Sequence, residues 1–286
     1  MIRTLSVRIS AGILFLVVCW IGYTQNQGAP PQLNLNKVKD DLYEIEGDGG
    51  NVAVYLTDEG VIMVDDKFDR DYEAIVTKVK SVTSQPVKYI LSTHHHADHS
   101  GGNVKFFPAV EIISTANART NIVEHKQPNA PPNMAAARVV FTQETSVFLG
   151  GKEVRARYFG RGHTNGDAVI YFPTLRTIHT GDLMAGSGPL IDYPSGGSVV
   201  EWTKTLDEVM KLDFDTVIPG HGPVTNKAGL LTYRNNVEKL RTRAAGLVRD
   251  GKTQDEVGKV MMAEFGWGAQ SLQMQWSLPG MMAELR

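Results

Sequence analysis

The feature that most constrains this chain is residues 92–103, STHHHADHSGGN, where four histidines and an aspartate fall within six positions. A buried structural histidine needs one hydrogen-bond partner, and adjacent imidazoles repel one another when they are protonated. Solvated surface runs consist mostly of Lys and Glu. A metal ion explains the cluster, because it binds neutral imidazoles and neutralises the carboxylate. The cluster therefore predicts a metal site that residues elsewhere in the chain complete.

The spacing within the cluster indicates two sets of ligands rather than one. His94 and His96 are two residues apart, so in an extended segment their side chains point the same way. Asp98 and His99 follow on a turn, where a changed backbone direction aims them at a second point. His95 would point away from the pair. One short segment thus supplies ligands to a metal and to its neighbour.

Three later segments offer a further ligand each. His163 lies in GRGHTNGD, Asp182 in HTGDLM and His221 in VIPGHGPV, each beside a glycine and after a strand-like run. Side chains at several strand ends can converge on one point of a rigid sheet. Asp182 has an alternative interpretation as a helix N-cap, because Gly-Asp before an apolar run is a common helix start.

The rest of the chain has mainly strand-like patterns, interrupted by a few helical ones. Runs such as NVAVYLT, GVIMVDD, KYILST and AVIYFP are short, rich in β-branched residues and bounded by turn residues. Apolar residues at helical spacing predict helices over 72–82 and 201–212 and a helical region from residue 228 onward. This order predicts two packed sheets covered by helices.

HxHxDH at 94–99, with the later GH, GD and PGHG, resembles the metallo-β-lactamase-fold hydrolase superfamily over residues 38–221. The resemblance implies an α/β fold, the four-layer αββα sandwich. It also implies two metal ions, the first held by His94, His96 and His163, the second by Asp98, His99 and His221, with Asp182 bridging both. Nitrogen and oxygen ligands suit two Zn²⁺ ions, although iron or manganese would accept them as well.

Two such ions share a water, lower its pKa and direct the resulting hydroxide at a carbonyl carbon. Asp98 is the candidate catalytic residue, which would hold the hydroxide in line and shuttle a proton. Asp182 makes the ligand set similar to the glyoxalase II-type branch, which cleaves thioesters, whereas β-lactamases of the superfamily carry Cys or Ser there. We therefore expect a thioester, lactone or amide-like ester as substrate. A β-lactamase, a mononuclear iron persulfide dioxygenase and a non-enzymatic metal-binding module remain as alternatives.

The N-terminus indicates export. Arg3 and Arg8 precede an almost wholly apolar stretch, residues 9–23, which is typical of a signal peptide or an N-terminal membrane anchor. We therefore divide the chain into a leader with linker, residues 1–29, and a catalytic domain, residues 30–286. Cys19 is the single cysteine, so the processed protein would have no thiol ligand. A periplasmic or secreted enzyme with a small-molecule substrate is expected.

The net charge of −2 gives no reason to expect nucleic-acid binding. Two long Pro- and Gly-containing loops, residues 124–137 and 185–198, are expected to hold the substrate. Tyr193, Trp202 and Met134 are the candidates to line its pocket, although packing in the core explains Trp202 equally well. Asp65 or Asp66, after a buried strand, is expected to orient a ligand imidazole through its second nitrogen.

Overall fold

Two mixed β-sheets form the centre of the protein in this computed structural model, which describes residues 32–128, 130–186 and 188–286. The first sheet has seven strands that lie in chain order: β1 (Asn34–Lys39), β2 (Leu42–Glu46), β3 (Val52–Thr57), β4 (Gly60–Val64), β5 (Val87–Leu91), β6 (Glu111–Thr115) and β7 (Val139–Phe141). Strands β1 to β4 are antiparallel, and β4 to β7 are parallel. The predicted leader, residues 1–29, lies outside the described residues and stays a prediction.

The second sheet has six strands, which also lie in chain order: β8 (Glu144–Leu149), β9 (Lys152–Tyr158), β10 (Ala168–Phe172), β11 (Thr177–His179), β12 (Thr216–Ile218) and β13 (Thr225–Asn226). Only the β11–β12 pair is parallel. The carboxyl ends of these two strands therefore meet at one edge of the sheet.

Eight α-helices lie in the described ranges, in the connections between the strands and after the last strand. They are α1 (Tyr72–Lys80), α2 (Ala97–Ser100), α3 (Asn103–Phe106), α4 (Ala116–Val123), α5 (Val199–Val209), α6 (Lys227–Arg249), α7 (Gln254–Phe265) and α8 (Leu278–Glu284), with a π-helical turn at Gln273–Ser277. No helix in the described ranges has both the length and the hydropathy needed to cross a bilayer.

Alternate residues along the strands create the layers, because successive side chains of a strand point to opposite faces. On β3, Ala53 and Tyr55 join the core between the sheets, whereas Val52 and Val54 join the core shared with α1. The outer face of the second sheet packs on α5 to α8. The predicted αββα sandwich is thus confirmed.

The predicted helices shift only at their ends. The helix predicted over 201–212 begins two residues earlier, because the Ser198 hydroxyl accepts a hydrogen bond from the Glu201 amide and caps α5. The helix predicted over 72–82 ends at Lys80. The helical region predicted from residue 228 onward begins with α6, whose N-cap is Asn226.

Candidate metal centre

The first group of predicted ligands meets beyond the end of β5. His94 and His96 lie in the segment between β5 and α2, and His163 lies in the β9–β10 connection. His163 Nε2 is 3.0 Å from His96 Nδ1, and all three imidazoles are buried. Together with Asp182, these histidines each offer one ligand atom, and the four atoms lie within 4.8 Å of one another. The structure therefore brings the first predicted set together.

The second group lies beside it, where α2 approaches the loop after β12. His221 Nε2 is 3.2 Å from Asp98 Oδ2 and 3.2 Å from His99 Nε2. The distance from His99 Nε2 to Asp98 Oδ2 is 3.7 Å. One ligand atom from each of the three residues falls within 4.8 Å of the others. The second predicted set is thus also assembled.

Asp182 lies between the two groups. Its Oδ1 is 3.2 Å from His99 Nε2 and 3.5 Å from His221 Nε2, whereas its Oδ2 is 3.7 Å from His163 Nε2. The residue sits inside a 3₁₀ turn, Gly181–Leu183, whose N-cap is Thr180. Asp182 is therefore not a helix N-cap, and its two oxygens face different histidine groups.

The hydrogen bonding of this centre is incomplete without a metal. Within the described ranges, His94 Nε2 and Asp182 Oδ1 are buried and make no hydrogen bond. Buried polar atoms without partners are rare in folded proteins because each one forfeits its hydration. Converging imidazole nitrogens and carboxylate oxygens are the ligands that divalent transition metals accept. The residues present therefore fit metal ions.

Electrostatics favour the ligand forms of several of these groups. Burial and the neighbouring imidazoles of His99 and His96 lower the pKa of His94 well below its ordinary value. Burial raises the pKa of Asp182, but the facing imidazoles of His99 and His221 outweigh it and hold that pKa below its ordinary value. His94 is thus neutral and Asp182 ionised near neutral pH, which is the state that binds metal.

A family model, the metallo-beta-lactamase superfamily, matches residues 45–221, which include every predicted ligand. This chain belongs to the metallo-β-lactamase superfamily. Members of this superfamily related to it are metal-dependent hydrolases, and so is this protein.

Three relatives illustrate the similarity. Metallo-beta-lactamase IND-1 of Chryseobacterium indologenes is 27% identical over 176 residues, 60% of this chain and 71% of the relative. Metallo-beta-lactamase type 2 of Bacillus cereus is 27% identical over 207 residues, 70% of this chain and 78% of the relative. The 2,4-dinitroanisole O-demethylase subunit alpha of Nocardioides sp. (strain JS1661) is 26% identical over 67% of this chain, and the match spans 58% of that subunit.

Solved structures show the same fold. A metallo-beta-lactamase from Pontibacter korlensis superposes with a TM-score of 0.64 at 19% identity, over 72% of this chain and 99% of its own. DIM-1 metallo-beta-lactamase gives a TM-score of 0.62 at 21% identity, over 73% of this chain and 98% of its own. The rest of this chain lies outside the superposed regions.

A buried carboxylate orients one imidazole of the superfamily site. Asp65 Oδ2 is 2.8 Å from His99 Nδ1, so the second nitrogen of His99, Nε2, points at Asp98 and His221. The same carboxylate accepts hydrogen bonds from the backbone amide and hydroxyl of Thr93, both at 2.7 Å. Of the two predicted candidates, Asp65 has this contact. The Asp66 carboxylate is buried without a hydrogen bond among the described residues.

Two further supports were not predicted from the sequence. Asp192 Oδ2 lies 2.8 Å from His96 Nε2, and His163 donates from Nδ1 to the carbonyl of Leu190 at 2.6 Å. Asp192 and Leu190 both belong to the 185–198 loop, whose glycines and prolines were its only local signal. This loop therefore orients two imidazoles of the first group.

The remaining histidines lie outside the two groups, as predicted for His95. His179 is buried, and its Nε2 donates to the carbonyl of Asn51 at 3.0 Å. His95 is buried with its Nε2 3.0 Å from Ser195 Oγ, and His125 is exposed. His95 also lies near Asp192, but that carboxylate is already bonded to His96.

A cavity of about 300 Å³ opens onto the metal centre. Its lining contains five predicted ligands and five other residues: His96, Asp98, His163, Asp182, His221, Gln127, Ala185, Leu190, Leu272 and Trp276. Both predicted loops contribute to it, through Gln127 and through Ala185 and Leu190. Leu272 and Trp276 come from the C-terminal region and were not predicted.

The prediction that Tyr193, Trp202 and Met134 line the pocket was wrong, because none of them is among the described residues that form the cavity. Trp202 is fully buried in the core, where its indole N–H donates to the carbonyl of Leu183. Tyr193 points at α8 and donates its hydroxyl proton to Glu284 at 2.8 Å. Met134 lies elsewhere on the 124–137 loop.

Proposed function

We propose that this protein is an exported dinuclear zinc hydrolase that cleaves a carbonyl substrate: a thioester, a lactone or an amide-like ester. The observation that carries the proposal is the position of Asp182, with Oδ1 beside His99 and His221 and Oδ2 beside His163. A carboxylate placed in this way can bridge two ions, which would explain why the chain assembles two ligand groups side by side.

In each histidine of the first group, one ring nitrogen makes a hydrogen bond to a supporting residue, so the other nitrogen is the candidate ligand atom. Because Thr93, Asp192 and Leu190 engage the outer nitrogens, the first ion would be held by His94 Nε2, His96 Nδ1 and His163 Nε2. The second would be held by Asp98, His99 and His221. When bound, two such ions lower the pKa of a shared water towards neutrality and polarise a carbonyl oxygen.

Asp98 is the residue placed to move the proton. It lines the cavity, and its side chain is 24% exposed against 9% for Asp182. Burial raises the pKa of Asp98, but the facing imidazole of His99 and a hydrogen bond with His221 outweigh it and hold that pKa below its ordinary value, so the carboxylate is ionised. Because its ionised carboxylate faces the cavity, Asp98 would be placed to accept a proton from the attacking water and deliver it to the leaving group.

Export rests on the sequence of residues 1–29, with Arg3 and Arg8 before an apolar stretch. A ligand set without thiols suits an oxidising compartment, because nothing in the site can form a disulfide. The periplasm or the exterior of the cell is the expected location, with a small molecule as substrate.

A β-lactamase is the second candidate, because relatives such as those of C. indologenes and B. cereus carry that name. Asp182 argues against it, since the β-lactamases have Cys or Ser at the corresponding position. A mononuclear iron dioxygenase would leave Asp98 and His221 without a metal, although the fold gathers both around His99. A non-enzymatic metal-binding module would not need Asp98 in an open cavity.

Metal content and turnover, measured on untagged full-length protein, test the proposal. We expect two zinc ions per chain by elemental analysis and hydrolysis within a panel of thioesters, lactones, esters and β-lactams. Asp182→Ala should lose both metal and turnover, whereas Asp207→Ala, at an exposed aspartate paired with Arg234, should keep both. One iron per chain would favour the dioxygenase. Protein without bound metal would contradict both the hydrolase and the dioxygenase.

A further inference from the structure

The cavity has two chemically different walls. The metal ligands form one, and the other is apolar, made by Leu190, Leu272 and Trp276. Among the described residues that line it there is no lysine or arginine, and the sequence has Asn and Ser at positions 129 and 187 of the flanking loops. Gln127 is a neutral lining residue, and its Oε1 already accepts from the Ala97 amide at 2.8 Å.

Hydrogen bonds attach the C-terminal part of the apolar wall to the loop beside the metal centre. The hydroxyl of Ser277, next to Trp276, accepts from the Ile191 amide at 2.8 Å and donates to the Ile191 carbonyl at 3.1 Å. Glu284 accepts from the Tyr193 hydroxyl at 2.8 Å and from the Val199 amide at 3.1 Å. The C-terminal turn is thus tied to the loop that orients His96.

Trp276 itself lies against a predicted ligand. Its ring centre is 6.0 Å from that of His96, at an interplanar angle of 68°. The indole is half-buried and Leu272 is 46% exposed, so both retain apolar surface that a substrate can cover. Covering such surface is favourable by about 25 cal/mol per Å².

We propose that the apolar wall selects an uncharged substrate whose aromatic or aliphatic part packs against Trp276, Leu272 and Leu190. This inference rests on the proposed hydrolase function. A carboxylate on that part of the substrate would lose hydration against apolar side chains and meet no cationic side chain among the described lining residues in return. β-Lactam antibiotics and glutathione thioesters both carry carboxylates. Neutral aryl or alkyl esters, thioesters and lactones are therefore the substrates that fit.

A matched pair of esters tests the selection. Methyl pentanoate and the monomethyl half-ester of succinic acid, whose hydrolysis is followed by the release of acid, have acyl chains of similar length that end in a methyl group and a carboxylate, and neither has an aromatic group. We expect kcat/KM to be about tenfold or more higher for the pentanoate. Trp276→Ala should remove most of the difference and Trp276→Phe should keep most of it, whereas equal kcat/KM values in the unmodified protein would overturn the proposal.

A charge added to the wall should change the preference. Leu272→Lys places a cation where the carboxylate would lie, so it should raise kcat/KM for the half-ester by about fivefold relative to the pentanoate. Leu231→Lys is the matched control, because Leu231 is 45% exposed on α6 and does not line the cavity. The same gain in both variants would show a general charge effect and contradict the assigned wall.

Binding without chemistry separates this inference from the proposed function. Phenylmethanethiol and 4-(mercaptomethyl)benzoate, titrated calorimetrically into the zinc-loaded full chain, differ only by a carboxylate. Tighter binding of phenylmethanethiol, lost in Trp276→Ala, would support the apolar wall even if no ester in the panel is cleaved. Equal binding of the two thiols would refute the wall even if ester hydrolysis is efficient.

Discussion

Asp192 Oδ2 lies 2.8 Å from His96 Nε2, and this contact joins residues that are 96 positions apart in the chain. Burial raises the pKa of Asp192, but its hydrogen bond with His96 lowers it to about 2, so the carboxylate is ionised. Asp65 Oδ2 likewise lies 2.8 Å from His99 Nδ1. Each histidine group therefore has one imidazole whose orientation is fixed by a buried carboxylate, and Asp192 links the first group to the loop that lines the cavity.

Asp192→Asn should weaken metal binding about 10–100-fold, because the amide cannot supply the charge that holds His96 and increases its basicity. Competition with a chromogenic chelator measures the affinity. Asp207→Asn, at an exposed aspartate, is the control and should not change it. An unchanged affinity in Asp192→Asn would mean that His96 is oriented by its backbone alone.

Asp65→Asn should act on the other group. Since Asp65 contacts His99 directly and reaches the first group only through Thr93, the ion held by Asp98, His99 and His221 should be the first whose occupancy falls. Zinc content should drop from about two towards one per chain as chelator is added, at concentrations that leave the unmodified protein loaded. Simultaneous loss of both ions would argue against two separable sites.

Glu44, in β2, should make stability depend on pH. Burial raises its pKa to about 7 from an ordinary 4.5, so the folded protein keeps a proton that the unfolded chain releases between these values. The contribution of this residue to the free energy of unfolding therefore falls as pH rises from about 4.5 to 7. Glu44→Gln should gain about 2 kcal/mol relative to the unmodified protein between pH 5 and pH 8. Urea denaturation at the two pH values measures the difference, and an equal effect at both would contradict the assigned burial.

Two glycine substitutions should have opposite effects. A Cβ at Gly280 would overlap the ring of Tyr193, which Glu284 holds in place, so Gly280→Ala should destabilise the protein by about 1–3 kcal/mol. Gly246 lies within α6, and its Cβ would come no nearer than 3.9 Å to Arg249, so Gly246→Ala should stabilise by about 0.5–1 kcal/mol. Thermal unfolding of both variants checks the pair. Equal stability of Gly280→Ala and the unmodified chain would mean that α8 is loosely packed.

Local patterns predicted much of the architecture because they carry physical periodicities. Short runs rich in β-branched residues predicted β3 and β4, and the helix after Ser198 needed only a two-residue shift at its start. The strand β1 and the helix α4 were not predicted from the sequence. Asn34–Lys39 is polar and partly exposed, and Ala116–Val123 has no clear apolar face, so neither has a strong periodicity.

The candidate ligands were predicted because their signal is local and chemical. Six positions contain His94, His96, Asp98 and His99, and glycines flank His163, Asp182 and His221. The pocket could not be predicted in this way. Tyr193 and Trp202 look like lining residues in a loop and at a helix start, yet one donates to Glu284 and the other fills the core.

The sequence by itself determined the chemistry that this protein can support: a set of imidazoles and carboxylates without thiols, placed on glycine-containing turns after buried strands. Ligand type is a property of individual side chains, so it can be read without a fold. Only the tertiary structure decided which carboxylates orient the ligands and which apolar residues face them. Asp192 and Trp276 reach His96 from positions far along the chain, and long-range packing of the C-terminal turn on the 185–198 loop puts them there.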